Sequence, residues 1–283
     1  MPIYVYKENS QISTNAVRND KAVKAIYAKE QGKGTVCVWG YSDLLIFTYR
    51  VLSNEHIVIT GVREGLKWER ITIPKTINGR PVTSIDSYAF RNNTLFNYIE
   101  LSDSLDFLGS YTFEGCNNLT QITIPKNIIT VGGNCFKDCS SLTTVNWLAT
   151  ACTSAGEPVP GSSSKPIFKG CSNLATVNIG DNVTTITPYT FFGCTGLTSI
   201  TIPDSVTSIG ENAFYNCTGL TSITIGKGVT SIGSYAVYGC AGLTSITFNG
   251  TIAQWNAISK GSSWNSNTGN YTIHCTDGDI PKS

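Results

Sequence analysis

The chain predicts a mainly β solenoid of about eight 23-residue rungs with short turns, capped at both ends. Three observations carry the prediction. Cysteines at 116, 139, 171, 194, 217 and 240 recur in steps of 23, 32, 23, 23 and 23. Leu119, Leu142, Leu174, Leu197, Leu220 and Leu243 keep the same steps, as do Phe113, Phe136, Phe168, Phe191, Phe214 and Val237. A strand-like apolar pair can be traced eight times, at Ile71/Ile73, Ile99/Leu101, Ile122/Ile124, Val145/Trp147, Val177/Ile179, Ile200/Ile202, Ile223/Ile225 and Ile246/Phe248, the last six each following a ladder leucine.

A unit of 23 residues cannot bury its own apolar side, but stacked copies share a continuous core and each touches only its neighbours. The β-branched pairs suit strands. Val206 and Ile209 mark a second inward segment, and Ala213, Phe214 and Cys217 fill the far side. Gly210 and Gly233 allow a tight corner. Rungs about 4.8 Å apart make a rod roughly 40 Å long. The single step of 32 is one period plus a nine-residue insertion around Leu148 to Lys165, rich in Ser, Gly and Pro. Leu-x-x-Ile-x-Ile is the strand half of a leucine-rich repeat.

Bare solenoid ends would expose strand edges. Phe47–Leu52 and His56–Val62 read as a hairpin around Ser53-Asn54 that covers the first rung, and Trp255, Ile258 and Trp264 supply a C-terminal cap. The expected division is a small N-terminal element over 1–45, the solenoid over 46–276 and a tail over 277–283. In the N-terminal element, Ala22–Ala28 and Thr35–Trp39 around Gly32-Lys33-Gly34 suit a hairpin, while a short helix over Thr14–Ala28 fits the pattern equally well.

Composition excludes several classes of function. Lys+Arg is 20 and Asp+Glu is 19, so the net charge of +1 speaks against nucleic acid as a partner. Charged residues make up 14%, against roughly 25% in ordinary domains. Ser, Thr, Asn and Gly therefore provide the polar surface. With 41% hydrophobic residues the chain is not disordered, and no apolar run approaches the ~18 residues of a membrane span. The opening Met1-Pro2-Ile3-Tyr4-Val5-Tyr6-Lys7 is not a signal peptide. The expected location is extracellular or cell-surface if a signal has been removed, and otherwise virion or cytoplasmic.

The repeat Ile200-x-Ile202-Pro203-x-x-Val206-Thr207-Ser208-Ile209-Gly210-x-x-Ala213-Phe214-x-x-Cys217-x-x-Leu220 resembles the BspA-like leucine-rich repeats of bacterial and protist surface proteins. The likeness covers roughly 46–276. Its entry runs through Tyr49–Leu52, Ile57–Ile59 and Ile73-Pro74 to Val82, and its exit from Gly250 through Trp255 and Ile258 to Tyr271–Gly278. The resemblance implies a non-enzymatic recognition or adhesion role toward a protein or glycan on a host or neighbouring cell, with no shared catalytic set. The run Val23-Lys-Ala-Ile-Tyr-Ala-Lys-Glu30 also resembles segments of phage tail proteins, which implies the alternative of a phage or prophage tail structural or receptor-binding part.

No enzyme chemistry emerges from the residues. A 23-residue cysteine spacing is not the close pairing that zinc prefers, and buried Cys acts as a small apolar residue. The ladder cysteines, and Cys135 in an Ala position, are expected as reduced inward thiols, whereas Cys152 in the insertion should be the most reactive. Cys37 and Cys275 also lie outside the ladder. The two histidines, His56 and His274, fall near opposite ends. His274, Cys275 and Asp277 look like a nucleophilic set, but neighbours along a strand diverge. No cofactor or metal is expected.

Two surfaces suit binding. The first is the outer strand face, with Gln121/Thr123, Thr144/Asn146, Thr176/Asn178, Ser199/Thr201, Ser222/Thr224 and Ser245/Thr247. The second is aromatic. Phe192, Tyr215 and Tyr238 follow the ladder position of Phe in three successive repeats, and Tyr88, Tyr111, Tyr189 and Tyr235 precede it. The candidate binding residues are Tyr189, Phe192, Tyr215, Tyr235, Tyr238, Ser199, Thr201, Ser222 and Thr224. The insertion, Thr153–Ser164 with Glu157, is a third candidate by its loop position alone.

Overall fold

The structure is a computed structural model that describes residues 18–19, 22–23, 26–29, 35–38, 47–62, 69–155 and 166–282. Its first strand column stands at the eight expected positions, from Arg70–Thr72 to Ser245–Phe248, and Thr272–Cys275 adds a ninth. Within the column, equivalent residues stack in register, so that Ile200 pairs with Ile223 and Ile223 with Ile246. A one-residue slip would turn this whole apolar set outward. A second column of short parallel strands includes Thr130–Val131, Ser208–Ile209 and Ser231–Ile232. The third side is a turn rather than a strand.

These three sides enclose one core. Phe90, Phe113, Phe136, Phe168, Phe191 and Phe214 stack down it with ring centroids 5.0 to 5.8 Å apart. Ladder leucines and cysteines are fully buried around them. Gly210 and Gly233 serve close approach: a Cβ on either would lie 2.5 Å from the backbone nitrogen of Pro188 or Glu211 on the preceding rung.

At the start, Phe47–Val51 and Ile57–Val62 form an antiparallel hairpin, and the second of these strands joins Arg80–Ile85 in parallel. This hairpin thus closes the second column. Ile26–Lys29 pairs antiparallel with Thr35–Val38, which meets the first column through Val36 and Arg70. The residues described between 14 and 28 are strand, not helix. The charged side chains and Gly32–Gly34 of this segment lie outside the described residues.

At the other end, the helix Ile252–Ala257 is held by a capping box between Thr251 and Gln254. Trp255 and Ile258 are buried and Trp264 is half-buried. The stretch expected as a tail contributes a strand, Gly278–Pro281, antiparallel to Thr272–Cys275. No helix among the described residues is long and apolar enough to cross a membrane.

The ladders are interrupted once. Thr176–Ile179 and Ser199–Ile202 lie on the edges of different sheets, as do Ser154–Ala155 and Thr185–Ile186. Residues 180–184 carry the chain across this seam. Pro203 lies on this seam but does not by itself break a ladder, since Pro125 follows Ile124 in a rung that stays paired on both sides. The counterpart of Pro203, Gly180, donates to the Trp147 carbonyl, whereas proline has no N–H to offer the preceding rung. Trp147 reaches across the seam from below: a buried indole replaces isoleucine there and meets Phe191 edge-on at 6.0 Å.

Candidate functional site

The turn side of the rungs has two corners in left-handed backbone, four residues apart, except in the rung of Phe168, where Pro166 takes the first position. In the rung of Phe191 they are Tyr189 (φ 59°) and Gly193 (φ 71°). The second corner carries Asn92, Gly115, Asp138, Gly170, Asn216 and Gly239 in other rungs, residue types that tolerate this region. Glycine and Asn/Asp alternate for a steric reason: a Cβ on Gly115, Gly170 or Gly239 would lie within 2.3 Å of the amide or carboxylate oxygen one rung earlier. The first corner is different. It carries Asn134 and Asn212, but also Tyr88, Tyr111, Tyr189 and Tyr235, all with φ between 54° and 63°.

The position after each Phe points outward from the same turn. Before the seam this column is charged. Arg91 Nε and Lys137 Nζ each lie 2.6 Å from a carboxylate oxygen of Glu114, whose side chain is 8% exposed. The Glu114 carboxylate, with that of Asp138 3.0 Å away, raises the pKa of the Lys137 ammonium. The sequence reading missed this triad, although its signal was the same position that yielded the aromatic stripe.

After the seam the column is aromatic. Phe192, Tyr215 and Tyr238 stack with centroids 4.8 and 4.9 Å apart and planes within 10°. Tyr189 leans on Phe192 at 6.2 Å, and Tyr235 meets Tyr238 edge-on at 5.6 Å. Asn267 Nδ2 donates to the Tyr238 hydroxyl. Partial burial, followed by the charge of Glu211, raises the pKa of the Tyr189 phenol. Tyr235 is 38% exposed and the other four rings are half-buried. Stacking closes the internal ring faces, so edges and hydroxyls are presented outward.

The structure therefore brings Tyr189, Phe192, Tyr215, Tyr235 and Tyr238 together. Ser199, Thr201, Ser222 and Thr224 lie on the strand column, another side of the rung. Ser199 and Thr201 are exposed, and Ser222 and Thr224 are half-buried. Earlier rungs carry an amide ladder there: Asn178 Nδ2 donates to Asn146 Oδ1 at 2.8 Å, and Asn146 Nδ2 to Thr123 Oγ1 at 3.0 Å. The centre of the insertion, 156–165 with Glu157, lies outside the described residues.

The thiols are part of the core. Cys116, Cys139, Cys171, Cys217 and Cys240 donate to the carbonyls of Phe90, Phe113, Phe136, Phe191 and Phe214 at 3.0 to 3.2 Å. Burial pushes Cys116 up to about 12, which keeps it a thiol at neutral pH. Cys135 is buried as expected. Cys152, expected to react, is only 6% exposed, because the chain stays in the core until the insertion begins. The apparent His274, Cys275 and Asp277 set is not assembled. His274 Nδ1 pairs with Asp279 at 2.9 Å, and Asp277 accepts the Ile252 N–H at 2.7 Å. Among the described residues, no group of three or more His, Cys, Asp or Glu is placed to hold a metal ion.

Parallel stacked rungs of this period define a leucine-rich repeat solenoid. The profile of the BspA type leucine rich repeat region matches six copies over residues 64–157 and 162–280, and the chain belongs to that family. A leucine-rich repeat protein from Eubacterium ventriosum is similar at 28% identity and a TM-score of 0.52, covering 68% of this chain and 49% of its own. A T. pallidum leucine rich repeat protein is similar at 22% identity and a TM-score of 0.47, covering 76% and 83%. No curated protein matches. Repeat solenoids of this kind offer extended surfaces for protein interaction.

Proposed function

We propose that the protein is a non-enzymatic recognition or adhesion module at a cell surface, and that it binds its partner through Tyr189, Phe192, Tyr215, Tyr235 and Tyr238. The supporting observation is the pair of tyrosines held at left-handed corners beside the stacked rings. A non-glycine residue there costs about 1–2 kcal/mol. Asn212 shows that the same corner accepts a cheaper residue between them. The tyrosines therefore carry a stability cost that a useful side chain would justify. Aromatic rings with few rotatable bonds are efficient interface residues, and a rigid scaffold loses little entropy when it binds.

The stacking favours a protein over a glycan. Sugars pack on open ring faces, but these faces are closed by the neighbouring rungs. Edges and hydroxyls suit a protein surface with its own apolar and carbonyl groups. The test is a screen of the full chain against host-matrix proteins and a glycan array, repeated with Phe192→Ser, Tyr215→Ser and Tyr238→Ser combined. A protein hit, competed by free ligand and weakened at least tenfold in a folded triple variant, is expected. Undiminished binding by that folded variant overturns the site. A screen without hits moves the reading to a part of a larger assembly, such as a phage tail.

A further inference from the structure

The seam leaves hydrogen-bonding capacity unspent between two strands. Thr176 and Gly180 donate backward to Thr143 and Trp147. Backbone groups alternate sides along a strand, so Val177 and Ile179 turn theirs toward the seam. From the other side, Thr198 and Ile202 accept from Ser222 and Gly226. Ser199 and Thr201 therefore face back across it. No strand pairing joins these two edges.

Other features mark the same plane. Phe168 and Phe191, on either side of it, have the widest spacing in the Phe stack, 5.8 Å. A Cβ on Gly193 would meet nothing within 4 Å, whereas at Gly115, Gly170 and Gly239 even the Cα one rung earlier would lie 3.4 to 3.6 Å away. Among the described ladder cysteines, Cys194 alone lacks the thiol-to-carbonyl bond. At the strand column the seam opens into a cavity of about 300 Å³, lined by Val177, Asn178, Ile179, Asp181, Ser199 and Thr201, among others.

We propose that this cleft is a second binding site, which takes an extended peptide strand onto the backbone edges of Val177 and Ile179 on one side and Ser199 and Thr201 on the other. Edge strands with free donors and acceptors are templates for strand addition. Full insertion spaces the two strands by about 9.6 Å, twice the usual separation, so the halves part about residues 180–184. Apolar side chains of the guest would rest on Val177 and Ile200. Its C-terminal end would meet Asp181, whose carboxylate would accept a backbone N–H there. The chain contains the same arrangement between intact rungs, where Lys227 follows the strand Ser222–Ile225 and its N–H bonds Asp204 Oδ1 at 3.0 Å. This site is independent of the aromatic column.

The probe is a fluorescein-labelled heptapeptide with the sequence of residues 221–227, Thr-Ser-Ile-Thr-Ile-Gly-Lys, titrated with the full chain and read by anisotropy. Thr201→Pro removes an N–H that has no ladder partner, so the fold is retained, as checked by circular dichroism. The expected result is saturable binding, at least tenfold weaker in Thr201→Pro and several-fold weaker in Asp181→Ala. No saturable binding up to millimolar protein, or equal binding by folded Thr201→Pro, overturns the proposal. Hydrogen exchange supplies a test free of variants. The amides of Ser199 and Thr201 should exchange faster than those of Ser222 and Thr224 and slow when the peptide is present. Equal protection in the free chain overturns it.

Discussion

One column of the solenoid changes chemistry halfway along. Before the seam, the residue after each ladder Phe is Arg91, Glu114, Lys137 or Lys169; after it, the residue is Phe192, Tyr215 or Tyr238. The backbone corner is the same on both sides, as the left-handed residues show. Neighbours sit one strand spacing apart in both halves, and each half uses that distance differently. Opposite charges close to 2.6 Å, and flat rings stack at 4.8 to 4.9 Å. The repeat thus sets geometry without dictating surface chemistry. The charged half turns its interactions inward on Glu114, while the aromatic half presents rims and hydroxyls outward.

The largest expected effect tests whether the seam divides the core as it divides the surface. Phe113 lies between rings 5.2 and 5.0 Å away, whereas Phe191 has neighbours at 5.8 and 5.5 Å. Phe→Ala in a core costs about 3–5 kcal/mol. Phe113→Ala should fall near the top of that range and Phe191→Ala near the bottom, because a gap in packing already forfeits contact energy. Urea unfolding of both variants measures this. Equal losses would mean that the seam is as tightly packed as the interior.

Much of this architecture was legible in the sequence because a solenoid converts period into contact. The eight apolar pairs, the cysteine ladder, the hairpin at Phe47–Val62 and the aromatic column follow from spacing and β-propensity. Strand character was read at His274 and Cys275, but the place of Thr272–Cys275 as a ninth rung was hidden because the cap replaces its flanking repeat signals. The seam was hidden because the repeat pattern runs through it unchanged: Pro203 repeats Pro125, which follows a strand that stays paired, and the apolar pairs on both sides keep their spacing. The tyrosine corners left a readable trace, since Asn134 and Asn212 occupy the position that Tyr111 and Tyr235 hold elsewhere. Asn at a fixed place in a repeat is a left-handed signal. The separation of Ser199 and Thr201 from the aromatic rings required the path of the turn.

A middle-sized effect sharpens the charged half. Glu114→Gln keeps the shape but leaves Arg91 without a carboxylate and Lys137 with Asp138 alone. Breaking a fully buried pair costs 3–5 kcal/mol, but these partners are 50% and 27% exposed. Solvent screening reduces the expected loss to about 1–2 kcal/mol. Urea midpoints at low and 1 M NaCl check the origin. The gap between wild type and Glu114→Gln should narrow with salt, whereas Tyr215→Ser should lose stability equally at both. A salt-independent gap for Glu114→Gln would assign its role to packing.

The smallest effect has the opposite sign and separates stability from binding. Tyr235 is 38% exposed with φ at 56°, and Asn212 occupies its corner one rung earlier. Replacing Tyr235 by Asn relieves left-handed strain worth about 1 kcal/mol but gives up the edge-on contact with Tyr238, worth about 0.5 kcal/mol or more. The net expectation is a gain of a few tenths of a kcal/mol, seen as a small rise in Tm. Binding to whichever protein the screen identifies should weaken at the same time. A fall in Tm would show that the ring is retained for packing, and the strain would then need no partner to explain it. A rise in Tm with weakened binding would show that the corner trades stability for recognition, in the half whose column is free to do so.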